Sequence, residues 1–166
     1  MTDKAYNVLF LCTHNSARSV LAEGLLNKLG AGRFKAYSAG SSPSGTVNPL
    51  ALKTLEKLGC DTANIRSKSW NEFADTDAPK MDFIFTVCDN AAGEVCPIWP
   101  GRPTTAHWGF ADPSLVQGDD DIRLAAFMQT AHLIQAKLRL FTSLPFEALD
   151  QLSLSKELRD LGGHTA

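Results

Sequence analysis

Cys12 and Arg18 bracket the run Thr13-His14-Asn15-Ser16-Ala17, a C-x5-R spacing, and Ser19 follows directly. The cysteine comes straight after the apolar run Val8-Leu9-Phe10-Leu11, and the arginine opens a stretch with helical spacing. A strand that empties into a short polar loop and then a helix start gathers unpartnered backbone amides and the positive end of a helix dipole. Such a loop binds an anion. The same field stabilises a thiolate and is expected to lower the pKa of Cys12. Arg18 adds a planar fork that matches a tetrahedral oxyanion in two-pronged fashion. The segment therefore reads as a nucleophile aimed at a bound oxyanion, with Thr13, His14, Asn15, Ser16, Ala17 and Arg18 as its cradle. Asn15 suits a loop that must turn its amides inward, since asparagine tolerates left-handed backbone. Ser19 is placed to donate a hydrogen bond to the thiolate.

Two further features have chemical content. Ala111-Asp112-Pro113 puts a carboxyl group on a turn, where it would serve as general acid for a departing oxygen; by itself an Asp-Pro pair is an ordinary turn signal. Cys88 and Cys96 flank seven residues, a spacing that suits neither a zinc pair nor a C-x2-C redox motif. A bridge between them requires the intervening chain to loop back. Cys60, after Gly59, reads as structural. His14, His107, His132 and His164 show no ligand spacing, so no metal is expected, and Trp70, Trp99 and Trp108 read as packing residues.

These residues need a scaffold that brings strand ends together. Residues 5–11 and 82–87 are short apolar strands, with 34–38 and 104–107 as further candidates. Helices are expected over 17–29, 49–58, 119–140 and in the tail 145–161, with a short one near Trp70 to Phe73. Residues 41–48 form a Ser/Gly/Pro loop. Strands alternating with helices predict an α/β fold: a single three-layer domain with a four-stranded parallel sheet and helices on both faces. In such sheets ligands bind beyond the carboxyl ends of the strands, where Cys12, Cys88 and the segment after His107 all fall. The chain has 166 residues, 44% hydrophobic and 20% charged, with 16 basic and 18 acidic residues and a net charge of −2. That balance fits a globular domain and argues against a nucleic-acid partner. No apolar stretch has membrane-spanning length and the N-terminus lacks a signal-peptide core, so the expected location is cytoplasmic, with no membrane partner. In a reducing compartment, four cysteines are more often catalytic, metal-binding or buried than structural bridges.

The run from Leu11 to Ser19, together with Ala22-Glu23-Gly24, Tyr37-Ser38-Ala39-Gly40, Asn48-Pro49, Cys88, Cys96-Pro97, His107-Trp108-Gly109 and Asp112-Pro113, resembles the arsenate reductases built on the low-molecular-weight protein tyrosine phosphatase fold. The likeness spans about residues 6–140. It implies a phosphatase-like reductase domain over residues 1–143 and leaves 144–166 as a helical C-terminal extension. The C-x5-R loop and Asp-Pro are common to both branches, whereas Cys88, Cys96 and His-Trp-Gly point to the reductases. Two departures weaken the phosphatase alternative, hydrolysis of phosphotyrosine or small phosphate esters. Ala17 stands where those enzymes carry a second cysteine, and Ser114-Leu115 stands where they carry tyrosine. Position 14 is His where many family loops have Gly.

The resemblance implies arsenate as substrate, with phosphate or sulfate as mimics. Cys12 would attack arsenic, Asp112 would protonate the leaving oxygen, and Cys88 and then Cys96 would pass on a disulfide to an external thiol reductant, thioredoxin or glutathione with glutaredoxin. Such exchange needs no metal and no bound cofactor. Some reductases of this family also hold a potassium ion beneath the loop. The matching positions here are Asn15, Glu23, Ser38 and, in place of an acid, Lys68, whose ammonium carries the same unit charge and would replace the ion.

Overall fold

A computed structural model of the chain describes residues 5–87, 103–146 and 151–163. The elements run β1 (Tyr6–Leu11), α1 (Arg18–Leu29), β2 (Phe34–Ala39), α2 (Pro49–Lys57), α3 (Asn71–Ala74), β3 (Phe83–Thr86), β4 (Thr104–His107), a 3₁₀ turn (Pro113–Leu115), α4 (Asp120–Thr142) and α5 (Gln151–Gly163). The strands form one four-stranded sheet in the order β2-β1-β3-β4, with every pairing parallel. All four carboxyl ends therefore lie along one edge, as the strand–helix alternation predicts.

β1 is central and buried on both sides, so its alternating side chains enter two separate cores. Val8 and Phe10 face the larger core, built from α1, α4, α5 and the Ala51 and Leu55 side chains of α2. Leu9 and Leu11 face a smaller one, completed by Trp70, Phe73 of α3, Met81 and Ile84. The larger core is aromatic: Phe85 stacks on Trp108 at 3.9 Å between ring centroids, and Phe141 meets both edge-on. The chain beyond Ser143 packs on it too, through Phe146, Leu158 and Leu161.

Local chemistry sets the helix limits. Asn48 caps α2 by accepting from Leu50 N at 2.9 Å, Pro49 fits the first turn, and Gly59 leaves in the left-handed region with φ 77°. Asp119 caps α4, and Asp120 and Asp121 follow in its first turn. In α1 the residues from Ser19 through Leu26 are all buried. The helix is covered by the sheet, α2 and α4. Residues 60–68 are irregular and run out beside β2, where Gly40 N donates to Lys68 O and Trp70 N donates to Gly40 O. No helix among the described residues is long and apolar enough to cross a membrane.

Candidate active site

The loop after β1 is held by its outer surface. Thr13 O accepts from Ser42 N (2.9 Å), His14 O from Ser44 N (3.0 Å), and Ser16 O from Asn48 N (2.9 Å). The Ser/Gly/Pro loop 41–48 thus takes up three outward-facing carbonyls, and a chain whose carbonyls turn out presents its amides inward. Gly40 makes this approach possible: a Cβ there would lie 2.5 Å from Thr13 O and 2.7 Å from Cys12 O. Asn15 adopts φ 49°, and among the described residues it is the one non-glycine residue at positive φ. His14 needs no such conformation, so the family's glycine is not required at that position. The His14 ring is exposed, and its Nδ1 lies 3.2 Å from Ser42 O, a geometry that puts the proton on Nδ1.

Cys12 directly follows the strand and is buried, 5% exposed. α1 begins behind it without a side-chain cap at Ala17 and without an acid in its first turn, which leaves the first-turn amides available to an anion. Arg18 reaches across to the segment after β4. Its Nη1 donates to Phe110 O at 2.9 Å, and its Nη2 lies 3.4 Å from Asp112 Oδ2. Its Nε is buried with no hydrogen-bond partner among the described residues. A buried guanidinium N–H left without an acceptor is costly, and an oxyanion oxygen is the acceptor it fits. Asp112 also accepts from Ser114 N (2.9 Å) and Ser114 Oγ (2.6 Å) through Oδ1, so one carboxylate oxygen steadies the turn and the other faces Arg18.

Beneath the loop lies a buried polar network. Asn15 Nδ2 donates to Ser19 Oγ at 2.8 Å, and Asn15 Oδ1 accepts from Lys68 N at 2.8 Å. Lys68 Nζ donates to Arg66 O at 2.9 Å and stands 3.8 Å from Glu23 Oε1, to which Ser38 Oγ also donates. Glu23 and Lys68 are each 8% exposed. Burial pushes the Glu23 carboxyl above its ordinary range and the Lys68 ammonium below its own; mutual attraction opposes both shifts without cancelling them. The side chains of Asn15, Glu23, Ser38 and Lys68, the positions that the resemblance matched to an ion site, are brought together by the fold, and Ser19 joins them through Asn15.

Cys88 and Cys96 lie outside the described residues. Val87, immediately before Cys88 in sequence, donates its N–H to Leu11 O, the carbonyl immediately before Cys12. Cys60 is buried, and burial raises its thiol pKa, as suits an inert residue. Among the described residues no three His, Cys, Asp or Glu side chains are grouped so as to hold a metal ion. Sequence reasoning missed Phe110, whose contribution is a backbone carbonyl. It also missed the Ser42 and Ser44 amides, which no side-chain pattern reveals.

This geometry can be set beside known proteins. The model of the low-molecular-weight phosphotyrosine protein phosphatase family matches residues 7–155. The chain belongs to that family. Within it, an arsenate reductase of Halalkalibacterium halodurans is 36% identical over 134 residues, covering 81% of this chain and 93% of the relative. A solved structure described as an arsenate reductase in the phosphate binding state superposes with a TM-score of 0.63 at 25% identity, covering 82% of this chain and 95% of that one. A thioredoxin-dependent arsenate reductase of Corynebacterium glutamicum has the same fold, with a TM-score of 0.58 at 24% identity, covering 86% of this chain and 64% of the other. The four-stranded parallel α/β domain of this family is the fold the sequence predicts.

Proposed function

We propose that the protein is an arsenate reductase that uses Cys12 as nucleophile. One observation supports the oxyanion reading: the loop, its carbonyls turned outward, ends on an arginine whose buried Nε has no acceptor among the described residues, while its outer nitrogens meet the Asp112 segment. Arsenate fills that cradle as a tetrahedral anion. The Cys12 thiolate attacks arsenic, a Cys12–arsenic bond forms, and the departing oxygen leaves with a proton from Asp112. Cys88 thiolate then attacks Cys12 Sγ. The sulfur–arsenic bond breaks, its electron pair goes to arsenic, arsenite leaves and a Cys12–Cys88 disulfide remains. Cys96 thiolate attacks Cys88, which frees Cys12 and leaves a Cys88–Cys96 disulfide for an external thiol to reduce with two electrons. The 36% identity to a curated arsenate reductase and the presence of Cys88 and Cys96 favour reduction over phosphate-ester hydrolysis, which needs neither cysteine.

Thioredoxin, or glutathione with glutaredoxin, is the proposed donor and the cytoplasm the proposed compartment. Lys68 is proposed to take the place of a cation under the loop, held by Glu23 and acting on the anion loop through Asn15. The test compares arsenite release from arsenate, with a thiol reductant, against hydrolysis of a chromogenic phosphate ester. Reduction should dominate. Cys88→Ser should abolish catalytic reduction while leaving any weak ester hydrolysis. Efficient ester hydrolysis without arsenite release would overturn the reading.

A further inference from the structure

The chain that carries Asp112 has a fixed root. Trp108 is 1% exposed, stacks on Phe85, donates its backbone N–H to Thr86 O at 2.7 Å and its indole N–H to Leu158 O at 3.0 Å. Phe110 N then donates to Val87 O at 3.2 Å. With its amide tied to β3, Phe110 turns its carbonyl to Arg18, and that carbonyl and the Asp112 carboxylate are the two acceptors on this segment that meet the guanidinium. The ring of Phe110 packs partly buried against the larger core, and Lys137 Nζ stands 5.5 Å from its centroid.

Lys137 occupies an unexpected place. The buried residues of α4 are Phe127, Thr130, Ala131, Ile134, Lys137, Leu138 and Phe141, so the lysine sits in the apolar stripe and is 8% exposed. A methionine or leucine would pack there without desolvating a charge, and burial depresses the lysine's proton affinity. An aromatic face offsets part of that desolvation, because its quadrupole attracts a cation. The attraction acts equally on the ring, and through the ring on a residue whose carbonyl holds the oxyanion-binding arginine.

We infer that Phe110, clamped by Lys137, is a positioning residue that couples the Arg18 fork to the Asp112 loop, an assignment that rests on the roles proposed above for Arg18 and Asp112. One side of the residue is fixed to β3 and α4, and the other is bonded to the guanidinium. An oxyanion that engages Arg18 therefore sets the position of Asp112, two residues further along. The pair works by geometry and does not touch the reacting atoms.

The test uses the full-length protein, with inorganic phosphate as the binding probe and the single-turnover rate of the arsenate–Cys12 step as the kinetic readout. Phe110→Leu and Lys137→Met should each slow that step by about three- to thirtyfold and weaken phosphate binding by less, because both remove the ring contact. Phe110→Tyr keeps the aromatic face and should stay within about twofold of wild type. In the double variant Phe110→Leu/Lys137→Met the losses should not multiply, since both act through one contact. Thermal melting separates this from general damage: the loss of rate in each variant should persist at temperatures well below its melting midpoint. Wild-type rates in Lys137→Met, losses that multiply, or no recovery in Phe110→Tyr would overturn the coupling. Asp112→Asn, run alongside, distinguishes the two levels. If it slows the step while the Phe110 and Lys137 variants do not, the coupling alone fails. If it is itself silent, the general-acid reading fails and the coupling with it.

Discussion

The two loops that meet at the site are held in opposite ways. The anion loop, residues 12–18, is clamped from outside: its carbonyls accept from the 42–48 segment, Gly40 presses against it, and Asn15 is hydrogen-bonded at both ends of its side-chain amide. The Asp112 loop is tied at its root by Trp108 and Phe110 and by the buried Pro113, while beyond it Leu115 is 76% exposed and Val116 39%. The difference suits the chemistry proposed for Cys12 and Asp112. A nucleophile and an oxyanion cradle gain from being pre-organised, since any reorganisation would be charged to the barrier. A general acid must let a bulky oxyanion in before it closes on the leaving oxygen, so its tip is better left lightly packed.

The largest effect should come from the clamped loop. Cys12→Ser is expected to abolish turnover, and iodoacetate should label Cys12 ahead of Cys60, with phosphate protecting it. Undiminished activity in the serine variant would remove the nucleophile from the proposed mechanism. The lightly held loop comes next. Asp112→Asn should cost about 10²–10⁴ in the first chemical step, as removal of a general acid does, and leave the later thiol exchange intact. Little change in a single-turnover measurement would make Asp112 a turn residue only.

Lys68→Ala tests the clamp from beneath. It strands the buried Glu23 carboxylate, and losing one partner of such a pair costs about 3–5 kcal/mol. The sign with pH is defined. A carboxyl whose folded pKa lies above its ordinary 4.5 holds a proton that the unfolded chain has released. The variant should therefore lose stability as pH rises through and above that value. The combined variant Glu23→Gln/Lys68→Met should recover much of the loss. Wild type should not discriminate potassium from sodium at constant ionic strength; a clear potassium requirement, or a silent Lys68→Ala in thermal melts, would remove the lysine from its proposed role. The smallest effect contrasts the loops directly. Gly40→Ala drives a methyl group into the Cys12 and Thr13 carbonyls and should cost about 1–3 kcal/mol together with phosphate affinity. Leu115→Ala, on the other loop, should change stability by no more than about 0.5 kcal/mol. Equal effects at the two positions would erase the contrast.

The sequence by itself determined the parts that are local. The strand before Cys12, the caps of α2 and α4 and the Asp-Pro turn are each set by residues within a few positions of one another, and the structure places those elements within a residue or two of expectation. The parallel sheet was legible because only a crossover between strands permits that alternation. The tertiary structure alone decided three things. It turned the anion loop's carbonyls toward amides about 30 residues later in the chain, which leave no side-chain signature in the sequence. It brought Phe110 O to Arg18 across 92 positions. It also buried Lys137, a residue of a type that composition assigns to the surface. In each case the deciding quantity was which backbone or aromatic surface lay opposite, and that is a property of packing between distant segments.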